Sequence, residues 1–238
     1  MLRKYSHTRT NIDNIKLGVL TAFTSGMVNV ASWILFFAFT SNVTGNYAIL
    51  AEEITKGNWF QVLVICLWIG LFFFGSYLAN NIIINSKTVK RQISHSIPLI
   101  LELFCLIGVG FYGELHYEET LIETEFMIAS LTFAMGLQNG LTASITNFSV
   151  KTTHLTGLTT DLAIHLSLLT KANNRKEKAI TDKFILLLSI LVSYMVGAII
   201  AGLITLKFQF QVFFYVSFTI VIIIFYDYIF SKLKPHDE

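Results

Sequence analysis

The chain has 238 residues, 54% of them hydrophobic and only 13% charged, with a net charge of +2 and a mean hydropathy of +0.63. A soluble domain carries about a quarter of its residues as charges, so this composition excludes an ordinary water-soluble domain. The near balance of charge gives no footing for nucleic acid.

A membrane-spanning helix needs about 20 apolar residues, and the chain offers such stretches in order. The first, 17–39, is too long for a signal-peptide core and lacks a small-residue cleavage site; it carries Asn29 near its middle. Next comes 44–55, which opens on Thr44-Gly45-Asn46 and closes on Glu52 and Glu53. Spans are predicted at 59–84 and at 97–112, the latter short and containing Glu102. The stretch 126–148 holds Gln138 and Asn139. A second short stretch, 156–170, opens on Thr156-Gly157, and spans at 184–206 and 210–230 complete the series, with Asp227 near the end of the last. The two short stretches reach only about 17–23 Å as helices, which suits re-entrant, interfacial or short spanning elements.

Basic residues of short loops favour the cytoplasmic side. Here most of them fall in four regions: Arg3, Lys4, Arg9 and Lys16; Lys87, Lys90 and Arg91; Lys171, Arg175, Lys176, Lys178 and Lys183; and Lys232 and Lys234. Loop 113–125 has five acids and no Lys or Arg. If the six long stretches cross and the two short ones do not, every basic region lies on one side and the acidic loop on the other. The fold expected is therefore an all-α integral membrane protein: six transmembrane helices plus two short re-entrant or interfacial helices, in a single membrane domain over 1–238 with both termini cytoplasmic.

The chain also resembles itself. Phe23-Thr-Ser-Gly26-Met-Val-Asn29 aligns with Phe133-Ala-Met-Gly136-Leu-Gln-Asn139 at an offset of 110, Thr44-Gly45 with Thr156-Gly157 at 112, and Gly75 with Gly197. Repeats at about 12–114 and 123–230, three crossings each, would have opposite orientation. The first Thr-Gly would then face the outer side and the second the inner side. Inverted repeats with broken helices recur in secondary transporters.

Polar side chains inside a bilayer are costly and call for a role. Asn29, Gln138 and Asn139 suit either helix–helix hydrogen bonding or the lining of a polar path. Thr44-Gly45-Asn46 and Thr156-Gly157 suit helix capping by threonine, or a helix start that receives an anion or a carbonyl. Asp161 and His165 share one helix face at i, i+4 spacing, and with His154 they could relay protons or form a local structural pair. Glu102 and His154 are the candidates for coupling; Asp227 suits snorkelling to the interface. Cys66 and Cys105 suit helix packing, and no metal-ligand spacing is present. Phosphate-loop, zinc-protease, nucleophile-elbow and dinucleotide-binding patterns are also missing, so neither enzyme chemistry nor a cofactor is expected.

Gly26-Met-Val-Asn29, Val43-Thr-Gly-Asn46, Met135-Gly-Leu-Gln-Asn139 and Thr152-Thr-His-Leu-Thr-Gly-Leu-Thr-Thr-Asp161-Leu162 together resemble the YoaK family, a group of bacterial membrane proteins defined as a domain of unknown function. The resemblance runs from about residue 18 to residue 230. It implies a bacterial inner-membrane location and no particular reaction. That family often carries Asp where this chain has Asn29, so an ionisable group is not required there. The expectation is a small secondary transporter or permease of unknown substrate. Substrate contacts would come from Asn29, Thr44, Gly45, Asn46, Gln138, Asn139, Thr156, Gly157, Asp161 and His165. The alternatives are a non-transporting membrane scaffold or assembly protein, and a lipid-modifying enzyme using Asp161 and His165. The partners expected are the lipid bilayer and a small molecule or ion, with room left for a homo-oligomer.

Overall fold

The structure, a computed structural model, describes residues 2, 9–85, 91–171 and 174–233, and only the backbone of 91, 92, 174 and 227–233. The basic residues Arg3, Lys4, Lys87, Lys90 and Lys234, and the side chains of Arg91, Asp227 and Lys232, lie outside the described set. The regular elements among the described residues are all helices: α1 (Asn11–Phe36), α2 (Val43–Lys56), α3 (Trp59–Asn85), α4 (Arg91–Leu115), α5 (Leu121–Ile145), α6 (Leu155–Leu169), α7 (Lys178–Phe208) and α8 (Val212–Leu233). Four apolar helical segments are long enough to cross a membrane. One of them, Lys178–Tyr226, is 49 residues long. It holds both α7 and α8, parted at Gln209–Gln211 by a turn of 3₁₀ helix. The long α5 carries Gln138, Asn139 and Thr142 in its second half, which lowers its apolarity.

Those polar residues are tolerated because α1 and α5 sit at the centre. Both are enclosed along most of their length. By contrast α3 buries only Ile65, Gly75 and Ala79, leaving Leu63, Phe73 and Tyr77 exposed in the manner of a lipid-facing helix. Such a helix has no polar face to turn toward water.

Glycines set the closest packing. A side chain on Gly26 of α1 would strike the Tyr194 carbonyl of α7, and one on Gly197 of α7 would strike the Phe23 carbonyl of α1. On the other side of the bundle, a side chain on Gly136 of α5 would strike the Phe72 carbonyl of α3, and one on Gly75 of α3 the Phe133 carbonyl of α5. Small residues let membrane helices approach backbone to backbone. The α1–α7 and α3–α5 contacts therefore use one pattern twice, each time between a helix of the first half of the chain and one of the second.

Helix starts repeat as well. Thr10 caps α1 in a capping box with Asp13, and Thr120 caps α5 in a capping box with Glu123. This Thr-x-x-acid signature extends the offset of 110 to the N-caps of α1 and α5. The fourth helix is longer than the 97–112 expected, running Arg91–Leu115 with Pro98 inside it. Membrane helices tolerate such a proline because neighbouring groups re-satisfy the freed carbonyl.

The segment between α1 and α2 turns back along α1. Phe37 ends α1 in the left-handed region, at φ 54°. The Ser32 hydroxyl then donates to the Ala38 carbonyl at 2.8 Å, and the Asn29 amide to the Ser41 hydroxyl at 2.6 Å. Residues 38–41 thus run antiparallel to 32–29, and α2 starts near the level of Asn29, about 10 Å short of the end of α1. At Gly57, φ 72°, the chain reverses into α3. A hydrogen bond from the Lys56 ammonium holds the Glu53 carboxyl of this exposed corner below its usual pKa. The connection after α5 has the same design. Asn147 and Phe148 take positive φ, the Thr146 hydroxyl accepts from the Val150 amide at 3.0 Å, and α6 starts beside Asn139.

Candidate functional site

The two returning segments meet. A cavity of about 380 Å³ is lined by Ser41, Asn42, Val43 and Thr44 from the first, by Lys151, Thr153, His154, Leu155 and Thr156 from the second, and by Phe72, Asn139, Ala143 and Phe148. A smaller one, about 210 Å³, lies between Asn29, Phe39, Ser41, Asn42, Thr153, Leu155, Thr156 and Tyr194. Thr44 and Thr156 line one space, so the threonines of the two motifs meet at a common cavity. The reversal after each central helix brings the start of each short helix into the bundle, where Asn46 of α2 and Leu158 of α6 are buried.

Neither threonine is the helix cap. Asn42 caps α2, its side-chain oxygen accepting from the Gly45 amide at 3.1 Å. His154 is the first residue of the α6 cap and makes no capping bond through its side chain. At both places the cap side chain lies over the glycine: a Cβ on Gly45 would meet Asn42, and one on Gly157 would meet His154. Glycine leaves room there for the close approach of the cap side chain.

Asn29 and Asn139 have different surroundings. Asn29, 3% exposed, donates to Ser41 at 2.6 Å and to the Tyr194 hydroxyl at 3.1 Å. Its carbonyl accepts from the Thr40 hydroxyl and the Ser41 amide, each at 3.2 Å. The first returning segment is thereby tied to α1 and α7. Asn139 lines the larger cavity, and its buried carbonyl oxygen has no partner among the described residues. The hydroxyl of buried Thr152, next to the second returning segment's cavity residues, is likewise unpartnered. Phe72, which touches Gly136 as Tyr194 touches Gly26, has no hydroxyl to offer Asn139.

Other expected site residues do different work. Gln138 donates to the Thr21 carbonyl at 2.5 Å and the Ser25 hydroxyl at 3.2 Å, joining α5 to α1. Asn46 is buried in the first turn of α2 and lines neither cavity. The expected pairing of the His165 and Asp161 side chains does not form. The His165 ring bonds the Asp161 backbone carbonyl at 2.7 Å, because i, i+4 spacing also brings the ring over that carbonyl. His165 lines none of the cavities named here; Asp161 lines a third, with Gly157 and His154. Glu102 is fully buried in α4, with neither oxygen hydrogen-bonded, and lies outside these cavities. Ser41, Tyr194, Phe72 and Lys151 belong to the site and were not singled out by sequence. Their one legible signal is position, each falling at or next to a repeat-aligned motif.

These helices and their buried polar centre define an α-helical multi-pass membrane protein. The chain belongs to the family described as Protein of unknown function (DUF1275), whose match covers residues 17–226, in agreement with the resemblance to YoaK. No curated protein and no solved structure matches the chain.

Proposed function

We propose that this protein is a small secondary transporter or permease of the bacterial inner membrane, built from two inverted repeats of three crossings and one re-entrant helix each. The single observation that carries the reading is the 380 Å³ cavity lined by Ser41–Thr44 and Thr153–Thr156, equivalent stretches of the two halves. Irregular backbone at membrane depth is tolerated only where protein buries it or a cavity receives it, and in inverted-repeat transporters broken helices frame the substrate. The reciprocal glycine contacts of α1 with α7 and of α3 with α5 support a two-fold relation between the halves. The basic loops support cytoplasmic termini. The latched segment at Asn29 is the closed end of the path, and the unlatched one at Asn139 is the end that admits substrate. No enzyme chemistry is invoked.

The test is flux in proteoliposomes. Purified protein is reconstituted and screened with labelled small solutes, with Asn139→Ala as the comparison. Saturable uptake that falls at least tenfold in Asn139→Ala is expected. Uptake equal to that of protein-free liposomes across the screen contradicts the reading.

A further inference from the structure

The cavity that Asp161 lines adjoins the larger one through Phe148, Lys151 and His154, which line both. It encloses about 210 Å³. Two lysines from different elements, Lys151 in the second returning segment and Lys183 in α7, converge on it. Neither reaches a carboxylate within ion-pair distance among the described residues, where the ion pairs are those of Lys56 with Glu52 and Glu53. Lys183 makes a long hydrogen bond to the Ser149 carbonyl, 3.4 Å, and is attracted by Asp161 and repelled by Lys151; Lys151 lies over the Phe148 ring, 6.0 Å from its centroid. Asp161 is the one acid lining the space, so the lysines outnumber it. Two ammonium groups around a partly enclosed space repel each other. An anion between them would relieve it.

We propose that this cavity binds a small oxyanion, a carboxylate or a phosphate, held by Lys151 and Lys183 with His154 at its edge. The inference deepens the transport reading and rests on it only in taking the connected cavities as the substrate site. Lys151 is placed to act in both, so an anion leaving the lysine pair comes next to Asn139, whose amide can donate a hydrogen bond. The uncapped start of α6 adds N–H groups of favourable sign, while the lysine pair supplies the charge. The space holds several non-hydrogen atoms, which suits a short organic acid or inorganic phosphate. Asp161 sets a limit on charge: a singly charged anion leaves the site neutral when both lysines are protonated.

Binding is measured by calorimetry on the full-length protein in nanodiscs, in low-salt buffer, with sodium acetate, sodium succinate and sodium phosphate, and choline chloride as the cation control. Saturable binding of at least one oxyanion is expected, weakened at least tenfold by Lys151→Gln and by Lys183→Gln. It should be retained within about threefold in Lys151→Arg and Lys183→Arg, which also shows that the glutamine variants fail through charge and not through folding. The acetate and phosphate arms separate the two oxyanion types. No oxyanion binding by the parent protein, or equal binding by the glutamine variants, overturns the proposal. Oxyanion binding without flux in proteoliposomes upholds the anion site and sinks the transport reading. Flux of an uncharged solute that is indifferent to both lysines does the reverse.

Discussion

Asn29 donates its amide to the hydroxyl of Tyr194 across 3.1 Å, tying the middle of α1 to α7 at the point where the first returning segment docks. The equivalent contact in the other half is missing because Phe72 stands where Tyr194 would be. The Tyr194 hydroxyl is one part of the latch, beside the Thr40 and Ser41 bonds to Asn29, which also have no counterpart at Asn139. Removing it by Tyr194→Phe should cost about 0.5–1.5 kcal/mol, the net worth of a hydrogen bond, and should raise the labelling rate of a cysteine placed at Ser41. Adding it by Phe72→Tyr should give Asn139 a partner, raise the melting temperature and slow flux. An unchanged labelling rate at position 41 in Tyr194→Phe would show that the hydroxyl is no latch.

The two asparagines should separate stability from activity. Asn29→Ala leaves Thr40, Ser41 and Tyr194 without their shared partner, and buried polar groups left unpaired cost about 1–3 kcal/mol. Asn139→Ala removes a side chain whose carbonyl oxygen has no partner, so its melting temperature should stay close to that of the parent. Thermal unfolding in mild detergent checks both. Equal loss of stability in the two variants would mean that Asn139 is as structural as Asn29.

Glycine substitutions should fall into two groups. Gly26→Ala, Gly136→Ala, Gly75→Ala and Gly197→Ala each drive a methyl into a facing backbone carbonyl. Overpacking of this kind costs about 1–3 kcal/mol. Gly70→Ala and Gly108→Ala meet open space and should be neutral or slightly stabilising. Folded yield and melting temperature measured across the six variants test this. The reading fails if Gly26→Ala is as stable as Gly108→Ala.

Those four glycines were legible in the sequence, since the alignment of Gly26 with Gly136 and of Gly75 with Gly197 needs only the chain itself. So were the long apolar stretches and the two short ones. The capping boxes at Thr10 and Thr120 were equally readable as a repeat at the same offset but are weak signals taken singly. The latch could not be read, because Tyr194 lies 165 residues from Asn29 and nothing local marks a hydroxyl that bonds across helices. Lys183 reads as one more basic loop residue until α7 carries it to the same cavity as Lys151. Asn42 competes as a cap with nearby Thr44, and His154 carries no capping propensity to mark it beside Thr153 and Thr156.

Glu102 gives a test of the bundle interior. Both carboxyl oxygens are buried without a hydrogen bond, and such a group costs about 1–3 kcal/mol relative to an apolar one of similar shape. Glu102→Leu should therefore raise the melting temperature. A clear fall would reveal a partner for the carboxyl inside the bundle.

The inverted, re-entrant arrangement is the centre of this account, and side-specific labelling of single cysteines tests it most directly. Cysteines are placed at Asn58, where α2 turns into α3, at Glu118 between α4 and α5, and at Lys176 between α6 and α7, and probed in intact cells with a membrane-impermeant thiol reagent. Positions 58 and 118 should label from outside, and position 176 only after the membrane is opened. Labelling of 58 and 118 from opposite sides, or of 118 and 176 from the same side, would contradict the arrangement.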